Sequence, residues 1–457
     1  MCEYDRSKQK RVLHYGPRTL AMHSTIECVP MKSNESSSAS VTRVVLASFI
    51  GTTIEWYDFF LYGTAAALVF NKLFFPTINP LAGTMAAFAT YAVGFFARPV
   101  GGVVFGHFGD RLGRKSMLVT TLMMMGLATF LIGLLPTYHQ IGVGAPILLV
   151  LLRFVQGFGV GGEWGGAVLM AVEHGHRGQR GLYASWVQAG VPAGMLLATA
   201  VFTLTSRMPE DMFMSWGWRV PFLLGIVLLG VGLFIRIKVF ESPLFEKMRD
   251  KKLPKGAPIF EVIRRYPRNV LLAMGARFAE NGCYYIFTVF ALSYTTDNLH
   301  LEKSTVLNGV LIASAVQFFV IPAFGILSDR IGRRPVYLCG AVALAIFAWP
   351  FFILVDTRDT TMIWLAIVIG LFIHAAMYGP QAAFFSELFG TEVRYSGASI
   401  GYQLASPLAG GLAPLIATAL LHWSNGEAWP VAVYLVMLAI ITIVSVWLAA
   451  ETHRVEL

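Results

Sequence analysis

Charged side chains interrupt several long apolar runs of this 457-residue chain. They are Glu55, Asp58, Arg98, Arg153, Glu163, Arg277 and Glu280. If these runs lie in a membrane, each charge is unfavourable by at least ~2.5–3.5 kcal/mol and needs a partner or a function. Carboxylates take up and release protons, whereas the forked donors of arginine bind carboxylates. Proton transfer and anion binding are therefore the chemistries that these residues offer.

Two of the acids form a close pair in the sequence. Glu55 and Asp58 are three residues apart, so a helix places them on one face. Two carboxylates in a poorly solvated environment suit reversible proton uptake. Glu163 is a third candidate, and Arg153 in the same run would tune these acids. We predict that Glu55, Asp58, Arg153 and Glu163 are the proton-coupling residues. Ion pairing or solvation at a helix end is the alternative.

Arg98 and Arg277 are the candidates for binding a carboxylate, because a guanidinium keeps its charge in every environment. The acids and the arginines of the apolar runs are nearly balanced, so internal ion pairs are the alternative. The remaining substrate-binding candidates are uncharged polar residues of these runs, namely Tyr62, Gln188, Tyr378, Gln381 and Tyr402. Tyr378 and Gln381 follow His374 at helical spacing and form a polar stripe. Such residues line a hydrated cavity or bond to a neighbouring helix.

The elements that carry these residues are membrane spans. The chain is 56% hydrophobic and 13% charged, against roughly 25% charged residues in soluble domains. About 20 apolar residues cross a bilayer. On this rule the sequence predicts an all-α membrane protein with twelve transmembrane helices in two six-helix halves related by pseudo-two-fold symmetry. The predicted spans are 44–70, 82–107, 116–136, 145–173, 182–205, 219–238, 270–295, 305–327, 335–355, 361–386, 396–421 and 429–449.

Hydrophilic segments divide the chain further. The loop 241–269 separates an N-terminal half, 44–240, from a C-terminal half, 270–450. We expect residues 1–43 to form a disordered tail, in which Met31 is an alternative start, and residues 451–457 to form a short second tail. Most of the 35 lysines and arginines fall on one side of the predicted spans. This places both termini and the central loop in the cytoplasm and the protein in the cell (inner) membrane. The net charge of +9 has the same origin, so no nucleic-acid partner is predicted.

Sequence motifs of soluble enzymes are either missing from the chain or lie in a context that does not suit their function. The sequence has no Walker-type nucleotide motif, and Gly157-x-Gly159-x-x-Gly162 lies inside a span rather than after a strand. Gly157 and Gly161 instead predict a smooth face for close helix contact. The four cysteines have no paired spacing, and no metal-ligand or nucleophile–base spacing is apparent. We therefore predict no cofactor, no metal, no catalytic residue and no obligate protein partner. A membrane-embedded enzyme or receptor is the alternative.

A charged turn occurs twice, each time between two apolar runs. The first copy is Gly109–Lys115 and the second is Ser328–Arg334. In each copy an aspartate precedes a helix, where a carboxylate favours the positive helix end, and the arginines can pair across the boundary between the halves. The predicted conformational latch comprises Gly109, Asp110, Arg111, Gly113, Arg114, Asp329, Arg330 and Arg333. The alternative is that the turn determines topology only.

With these residues in place, the chain resembles the major facilitator superfamily and, within it, the metabolite:proton symporter family. The resemblance covers nearly all of residues 41–453 and lies in a few blocks besides the repeated turn. These are Glu55-Trp56-Tyr57-Asp58-Phe59, Ala97-Arg98-Pro99, Arg153-x-x-Gln156-Gly157, Gly161-Gly162-Glu163-Trp164-Gly165 and Glu392-Val393-Arg394-Tyr395-Ser396-Gly397. The resemblance implies a family whose members move shikimate, 2-oxoglutarate, citrate, dicarboxylates, proline or betaines together with protons.

The expected activity is therefore proton-coupled import of a small organic acid across the cytoplasmic membrane, most similar to the shikimate-type members. The expected partners are a small organic anion, protons and the lipid bilayer. A proline/betaine-type zwitterion symporter is one alternative. A proton-independent facilitator or an efflux transporter of the same fold is another.

Overall fold

The computed structural model describes residues 35–76, 79–112, 114–174, 178–238, 262, 264–390 and 394–454. Over these ranges the chain is α-helix with short π-helical segments, and they contain no strand. The prediction of an all-α fold is confirmed. The tail before residue 35 and most of the predicted central loop lie outside the described residues.

The first half contains seven principal helices. Helix α1 begins at Glu35 and so extends beyond the apolar run. Its first turns lie in the segment 1–43, for which the sequence predicts a disordered tail. The fourth predicted span is built from two helices that flank residues 161–163. The helices are α1 (Glu35–Ala65), α2 (Pro80–Leu112), α3 (Arg114–Leu134), α4 (Gly144–Val160), α5 (Trp164–His174), α6 (Arg180–Ser206) and α7 (Arg219–Lys238).

The second half repeats this order. Its eleventh predicted span is interrupted by the π-helical segment Pro407–Gly411, where a proline removes a backbone donor. The helices are α8 (Pro267–Tyr285), α9 (Lys303–Ile331), α10 (Arg333–Asp356), α11 (Thr360–Glu387), α12 (Arg394–Ser406), α13 (Ala413–Trp423) and α14 (Trp429–Leu448).

The length and hydropathy of the helices agree with this architecture. Within the described ranges, eight helices are long and apolar enough to cross a membrane, and a ninth span results if Glu210–Gly217 and Arg219–Ile235, bent by 42°, are counted together. Val119–Leu134 is a shorter apolar helix. Helices α1 and α8 fall outside this group, and they carry Glu55, Asp58, Arg277 and Glu280. The order of helices matches the twelve predicted spans.

The two halves meet along several helix pairs. Helix α6 of the first half packs against α9 of the second, and α2 packs against α12. Glycines permit the closest approaches: a Cβ atom on Gly325 would lie 2.7 Å from the carbonyl oxygen of Gly181, across the α6–α9 contact. A Cβ atom on Gly157 would overlap the carbonyl oxygen of Gly94, and one on Gly161 would overlap that of Arg98. This agrees with the close-contact face predicted for Gly157 and Gly161.

Candidate functional site

A small closed cavity lies between the halves at the centre of the bundle. Its volume is about 10 Å³, close to the minimum that holds one water molecule. A metabolite can enter only after the helices move. The lining combines aromatic rings with charged and amide side chains: Trp56, Val191, Arg277, Glu280, Asn281, Tyr284, Tyr285, His374, Tyr378 and Tyr402.

Arg98 lies beside this cavity in a cage of aromatic rings. The Cζ atom of its guanidinium is 4.0 Å from the ring centroid of Phe59, 4.7 Å from that of Phe95 and 5.1 Å from that of Trp56. Cation–π contacts of this kind favour the charged form, yet they satisfy no N–H group. All three guanidinium nitrogens are buried and have no hydrogen-bond acceptor in the described part of the chain. The first half thus presents a buried cation without an acceptor.

Arg153 lies on the other side of the same phenyl ring. Its Cζ atom is 3.9 Å from the Phe59 centroid, and its Nη1 donates a 3.1 Å hydrogen bond to Oε1 of Gln156. Gln156 in turn donates to Oγ1 of Thr129 at 2.6 Å. Asp58 interacts with the Thr129 side chain and lies in the field of Arg153. The structure therefore joins Asp58 and Arg153, two of the predicted proton-coupling residues, in one buried network.

In the second half, Arg277 binds three side chains of its own half. Its Nη1 donates to Oε2 of Glu280 at 3.3 Å and to Oε1 of Gln381 at 3.2 Å, and its Nε donates to Oγ of Ser406 at 3.3 Å. Gln381 also donates to Oε2 of Glu280 at 2.9 Å and to the hydroxyl of Tyr337 at 2.8 Å. Arg277 and Arg98 thus differ in kind, since only Arg277 has a carboxylate partner.

The second carboxylate oxygen of Glu280 is paired with His374. Nε2 of His374 lies 3.2 Å from Oε1 of Glu280, and Nδ1 of the same ring lies 2.8 Å from Nε2 of Gln317. Nε2 of Gln317 also donates to the carbonyl oxygen of Leu371 at 3.0 Å. Three helices, α8, α9 and α11, therefore share one buried polar chain.

A column of flat side chains connects the halves. The indole of Trp164 stacks on the phenol ring of Tyr402, with ring centroids 3.8 Å apart and planes inclined by 13°. Cζ of Arg277 lies 3.2 Å from the centroid of the same phenol ring. Trp164 is oriented by its Nε1, which donates to Oε1 of Gln188 at 3.1 Å.

The remaining predicted site residues, Tyr62, Gln188, Glu55 and Glu163, lie outside the lining of the cavity. Tyr62 donates to Oγ1 of Thr90 at 2.8 Å and carries Arg153 over its ring, so it supports that arginine rather than lining the cavity. Gln188 accepts a hydrogen bond from Trp164 and is not among the residues that line the cavity. Glu55 and Glu163 are buried, at 3% and 1% exposure, which keeps both as candidates for proton coupling.

Three functional candidates are absent from the predicted site residues. Glu280 and His374 come together only through the packing of α8 against α11, which the pattern of a single helix does not show. Trp164 resembles a packing residue in the sequence. The sequence does point to Glu280, because it follows Arg277 by three residues and a helix places both on one face.

At one end of the bundle, which we call the latch end, the second copy of the repeated turn joins the halves. Asp329 accepts hydrogen bonds from the backbone N–H groups of Gly181, at 2.8 Å, and Leu182, at 3.0 Å. These groups begin helix α6, whose positive end favours a carboxylate. Asp329 therefore caps a helix of the opposite half.

Arg333 and Glu387 extend the latch end. Arg333 pairs with Asp329 at 2.7 Å and with both oxygens of Glu387 at 3.2 Å. Glu387 lies 3.9 Å from Arg180 of the first half. Arg330 is exposed and makes no ion pair within the ranges that the structure describes. Side chains 106–116 and all of Gly113 lie outside the described residues, so the roles of Gly109, Asp110, Arg111, Gly113 and Arg114 stay predictions.

The segment after the last helix closes over this end. Glu451 accepts hydrogen bonds from the backbone N–H groups of Arg333 at 2.9 Å and Arg334 at 3.0 Å, the first residues of α10. Burial raises the pKa of Glu451, but these and two further backbone N–H groups outweigh burial and hold its pKa below the ordinary value. Thr452 donates to Glu387 at 2.7 Å.

The opposite end, which we call the far end, is closed more weakly. Lys303 of the second half donates to Glu210 of the first at 2.8 Å, and Lys72 lies 3.7 Å from the same carboxylate. Glu210 is more than half exposed, and exposed pairs contribute only ~0–1 kcal/mol. A cavity of about 720 Å³ opens nearby, lined by Asn71, Lys72, Tyr294, Asp297, His300 and His422 among others. It contains none of the central arginines.

No group of His, Cys, Asp and Glu residues within the described ranges has the arrangement of a metal site. The donor set at the centre consists of guanidinium, carboxylate, amide, phenol and imidazole groups. Such a set suits the binding of a polar organic anion and the movement of a proton.

Comparison with known proteins gives two family matches. Residues 44–256 match the sugar (and other) transporter family, and residues 282–456 match the Major Facilitator Superfamily. The chain is 43% identical over 437 residues to the shikimate transporter of Escherichia coli (strain K12), covering 95% of this chain and 100% of that protein. It is 36% identical over 416 residues to the proline/betaine transporter of the same strain, covering 88% of this chain and 82% of that protein.

Solved structures of the same fold are more distant in sequence. A crystal structure of a D-xylose–proton symporter superposes with a TM-score of 0.71 at 17% identity, covering 91% of this chain and 99% of that one. A partially occluded, inward-open structure of the xylose transporter from E. coli superposes with a TM-score of 0.69 at 17% identity, covering 92% and 100%. At this identity the likeness concerns the fold.

Proposed function

The chain belongs to the major facilitator superfamily and is a multi-pass membrane transporter rather than an enzyme, and from this premise we propose that it imports a small organic acid together with protons. The proposed site is the central cavity between the halves. Arg98 and Arg277 hold the substrate carboxylate, and the aromatic lining contacts the rest of the molecule. The membrane is the inner membrane, with both termini in the cytoplasm.

The observation that carries this proposal is the state of Arg98. A buried guanidinium with no acceptor is costly, because its hydration is lost and nothing replaces it. A substrate carboxylate would supply two acceptors to the forked donors. An anionic substrate therefore explains why the aromatic cage holds Arg98 without a carboxylate that accepts its hydrogen bonds.

Two further features support a ring-bearing acid of the shikimate type. One is the relative at 43% identity, which is named a shikimate transporter. The other is the aromatic lining, because flat rings such as Trp56 and Tyr284 offer apolar surface to a carbocycle. Gln188, Tyr378 and Gln381 would contribute amide and hydroxyl groups for substrate hydroxyls.

Proton coupling is proposed for the acids near Arg153. Asp58 shares the network of Arg153, Gln156 and Thr129, and Glu55 and Glu163 are buried in the same half. A proton on one of these acids changes the charge that Arg153 experiences. Such a change can bias the side-chain contacts of Asp58 with α3 and α4 between two arrangements.

Alternating access follows from the unequal ends of the bundle. The latch end is closed by buried ion pairs and a capped helix, and the far end by one exposed cluster. We propose that the latch end faces the cytoplasm and that the far end opens first to admit substrate. Substrate and proton binding would then favour closure of the far end and release of Asp329 from α6.

The test is uptake into proteoliposomes of labelled shikimate, 2-oxoglutarate, citrate, succinate, proline and betaine, with and without an imposed pH gradient. Accumulation of one acid, accompanied by proton movement in the same direction, is the expected result. Gradient-independent equilibration would indicate a facilitator, and movement opposite to the protons would indicate efflux. Transport of proline or betaine alone would contradict the organic-acid proposal, and Arg98 would then bind a zwitterion.

A further inference from the structure

Glu280 occupies the position on Arg277 that a substrate carboxylate would need. Its Oε2 accepts from Nη1 of Arg277 at 3.3 Å, while Nη1 and Nε of Arg277 also donate to Gln381 and Ser406. We propose that the substrate carboxylate displaces Glu280 from Arg277 and that the freed Glu280 carries a coupled proton. This inference rests on the proposed function, and it adds a proton carrier in the second half to the candidates of the first.

The cavity brings the three participants together. Arg277 and Glu280 both line it, next to Trp56 from the first half and Tyr402 from the second. Cζ of Arg98 lies 5.1 Å from the ring centroid of Trp56, so an acid bound to Arg98 would lie next to the cavity that Arg277 and Glu280 line.

His374 positions Glu280 as an acceptor. Nε2 of Gln317 donates to the carbonyl oxygen of Leu371 at 3.0 Å, which fixes the orientation of that amide, because a carbonyl only accepts. Nδ1 of His374, 2.8 Å from the same nitrogen, must then accept. The ring proton therefore lies on Nε2, directed at Oε1 of Glu280 at 3.2 Å.

This arrangement directs an incoming proton to the carboxylate. A proton on Nδ1 of His374 would point at the amide hydrogens of Gln317, so the imidazole cannot gain one without breaking the bond to Leu371. Glu280 has two oxygens and can take the proton once Arg277 has turned to the substrate. His374 is a positioning residue in this scheme.

The groups that face Glu280 come from four helices. They are Arg277, Cys283 and Tyr284 of α8, Tyr337 of α10, His374 and Tyr378 of α11, and Tyr402 of α12. Among them Arg277 alone carries a permanent positive charge. When a substrate carboxylate neutralises it, an ionised Glu280 would be a buried charge without a counter-ion, a state that proteins avoid by protonation.

The step balances charge and protons. The Arg277–Glu280 ion pair breaks, an Arg277–substrate ion pair forms, and one proton from the aqueous phase of the open side binds a carboxylate oxygen of Glu280. One carboxylate and one proton then cross together. On the other side the substrate leaves, Glu280 releases its proton to that aqueous phase, and the ion pair re-forms.

The test compares wild type, Glu280→Gln and Glu280→Asp in proteoliposomes, using the panel acid that wild type accumulates. Glu427→Gln, an exposed carboxyl outside the cavity, is the matched control. Two modes are measured: exchange of labelled for unlabelled acid without a gradient, and accumulation under a gradient of one pH unit. With one coupled proton, that gradient supports up to about tenfold accumulation.

We expect Glu280→Gln to exchange the acid but to equilibrate without accumulation, because a neutral amide cannot carry the proton. Glu280→Asp keeps a carboxyl group and is expected to accumulate with an altered pH profile. Accumulation by Glu280→Gln equal to wild type would overturn the proposal, and so would equal loss of both modes in Glu280→Gln and Glu280→Asp, which indicates a structural role. A wild type that moves no panel acid would contradict the proposed function itself, and this inference would fall with it.

Discussion

Trp164 of the first half stacks on Tyr402 of the second, with ring centroids 3.8 Å apart and an interplanar angle of 13°. The opposite face of the phenol ring is covered by the guanidinium of Arg277. This column links Arg277, which lines the central cavity, to a contact between the halves. Any movement of the halves that separates the two rings also changes the surroundings of Arg277.

The column predicts the effect of truncating the tryptophan. Trp164→Ala removes the stack and the bond to Gln188, so Tyr402 and Arg277 lose their support. Aromatic pairs contribute ~0.5–1.5 kcal/mol beyond area burial, so we expect the half-saturation concentration for uptake to rise by about 2–10-fold. Concentration-dependent initial rates measure it. Trp447→Ala, at an exposed ring, is the control, and an equal shift there would remove the column from the mechanism.

Arg98 provides the sharpest test of anion binding. Arg98→Lys keeps the positive charge but loses the planar fork and the contact with three rings. Hydrogen bonds to charged groups contribute ~1.5–3 kcal/mol, so loss of one bond lowers apparent affinity by about 10–150-fold. Arg98→Ala should abolish uptake while the protein still reaches the membrane. Uptake by Arg98→Ala at the level of the wild type would exclude Arg98 from the site.

The sequence predicted those parts of the site that depend on one residue or one helix. Arg98 and Arg277 stood out because a charge in an apolar run is conspicuous, and Asp329 because its turn is repeated. The contacts of Glu280 with His374, and of Trp164 with Tyr402, join residues that are far apart in the chain. They depend on the rotation and tilt of packed helices, which the hydrophobic pattern of a single span does not determine.

The latch end illustrates the same limit. The repeated turn led us to expect arginines that pair across the halves. In the structure Arg333 pairs within its own half, and the cross-half bonds run from Asp329 to backbone N–H groups of α6. A backbone donor carries no residue-specific signal in the sequence. Only the close approach at Gly181 and Gly325, which needs small residues, leaves such a trace.

The contact between α2 and α4 predicts a strong effect of a single methyl group. Gly157→Ala would place a Cβ on the carbonyl oxygen of Gly94, and overpacking of this kind costs ~1–3 kcal/mol. Because α2 also carries Arg98, we expect lower thermal stability in detergent together with weaker substrate binding. Gly230→Ala has no atom within 4 Å of the new Cβ and serves as the control. Equal stability of the two variants would contradict the packing argument.

The cap that Glu451 forms on α10 predicts a pH dependence of stability. Its pKa is lowered in the folded protein, so the stabilisation is present above the unfolded value, near 4.5, and is lost as the pH falls through the folded pKa. Charge at a helix start contributes ~0.3–1 kcal/mol, so Glu451→Gln should unfold about 1–3 °C below wild type at neutral pH. The difference should shrink below pH 4.5. A difference independent of pH, measured by thermal unfolding in detergent, would attribute the effect to packing.

The last prediction concerns the bond between the halves at the latch end. In Asp329→Asn the amide group turns one donor toward the N–H of Gly181 or Leu182, so one helix-capping bond becomes a donor–donor contact. Loss of a buried bond of this type costs ~1–3 kcal/mol, which shifts the equilibrium toward the latch-open state by about 5–150-fold. Spin labels on Gln179→Cys and Gly390→Cys, exposed positions in opposite halves, measure the distance across this end after Cys2, Cys28 and the exposed Cys339 are replaced by serine. We expect a longer second distance to become dominant in Asp329→Asn. Asp359 caps a helix at the far end within one half through a single oxygen, so Asp359→Asn keeps this bond, and the distance distribution should be unchanged there. If both variants keep the wild-type distribution, Asp329 does not hold the latch end closed, and the repeated turn serves topology alone.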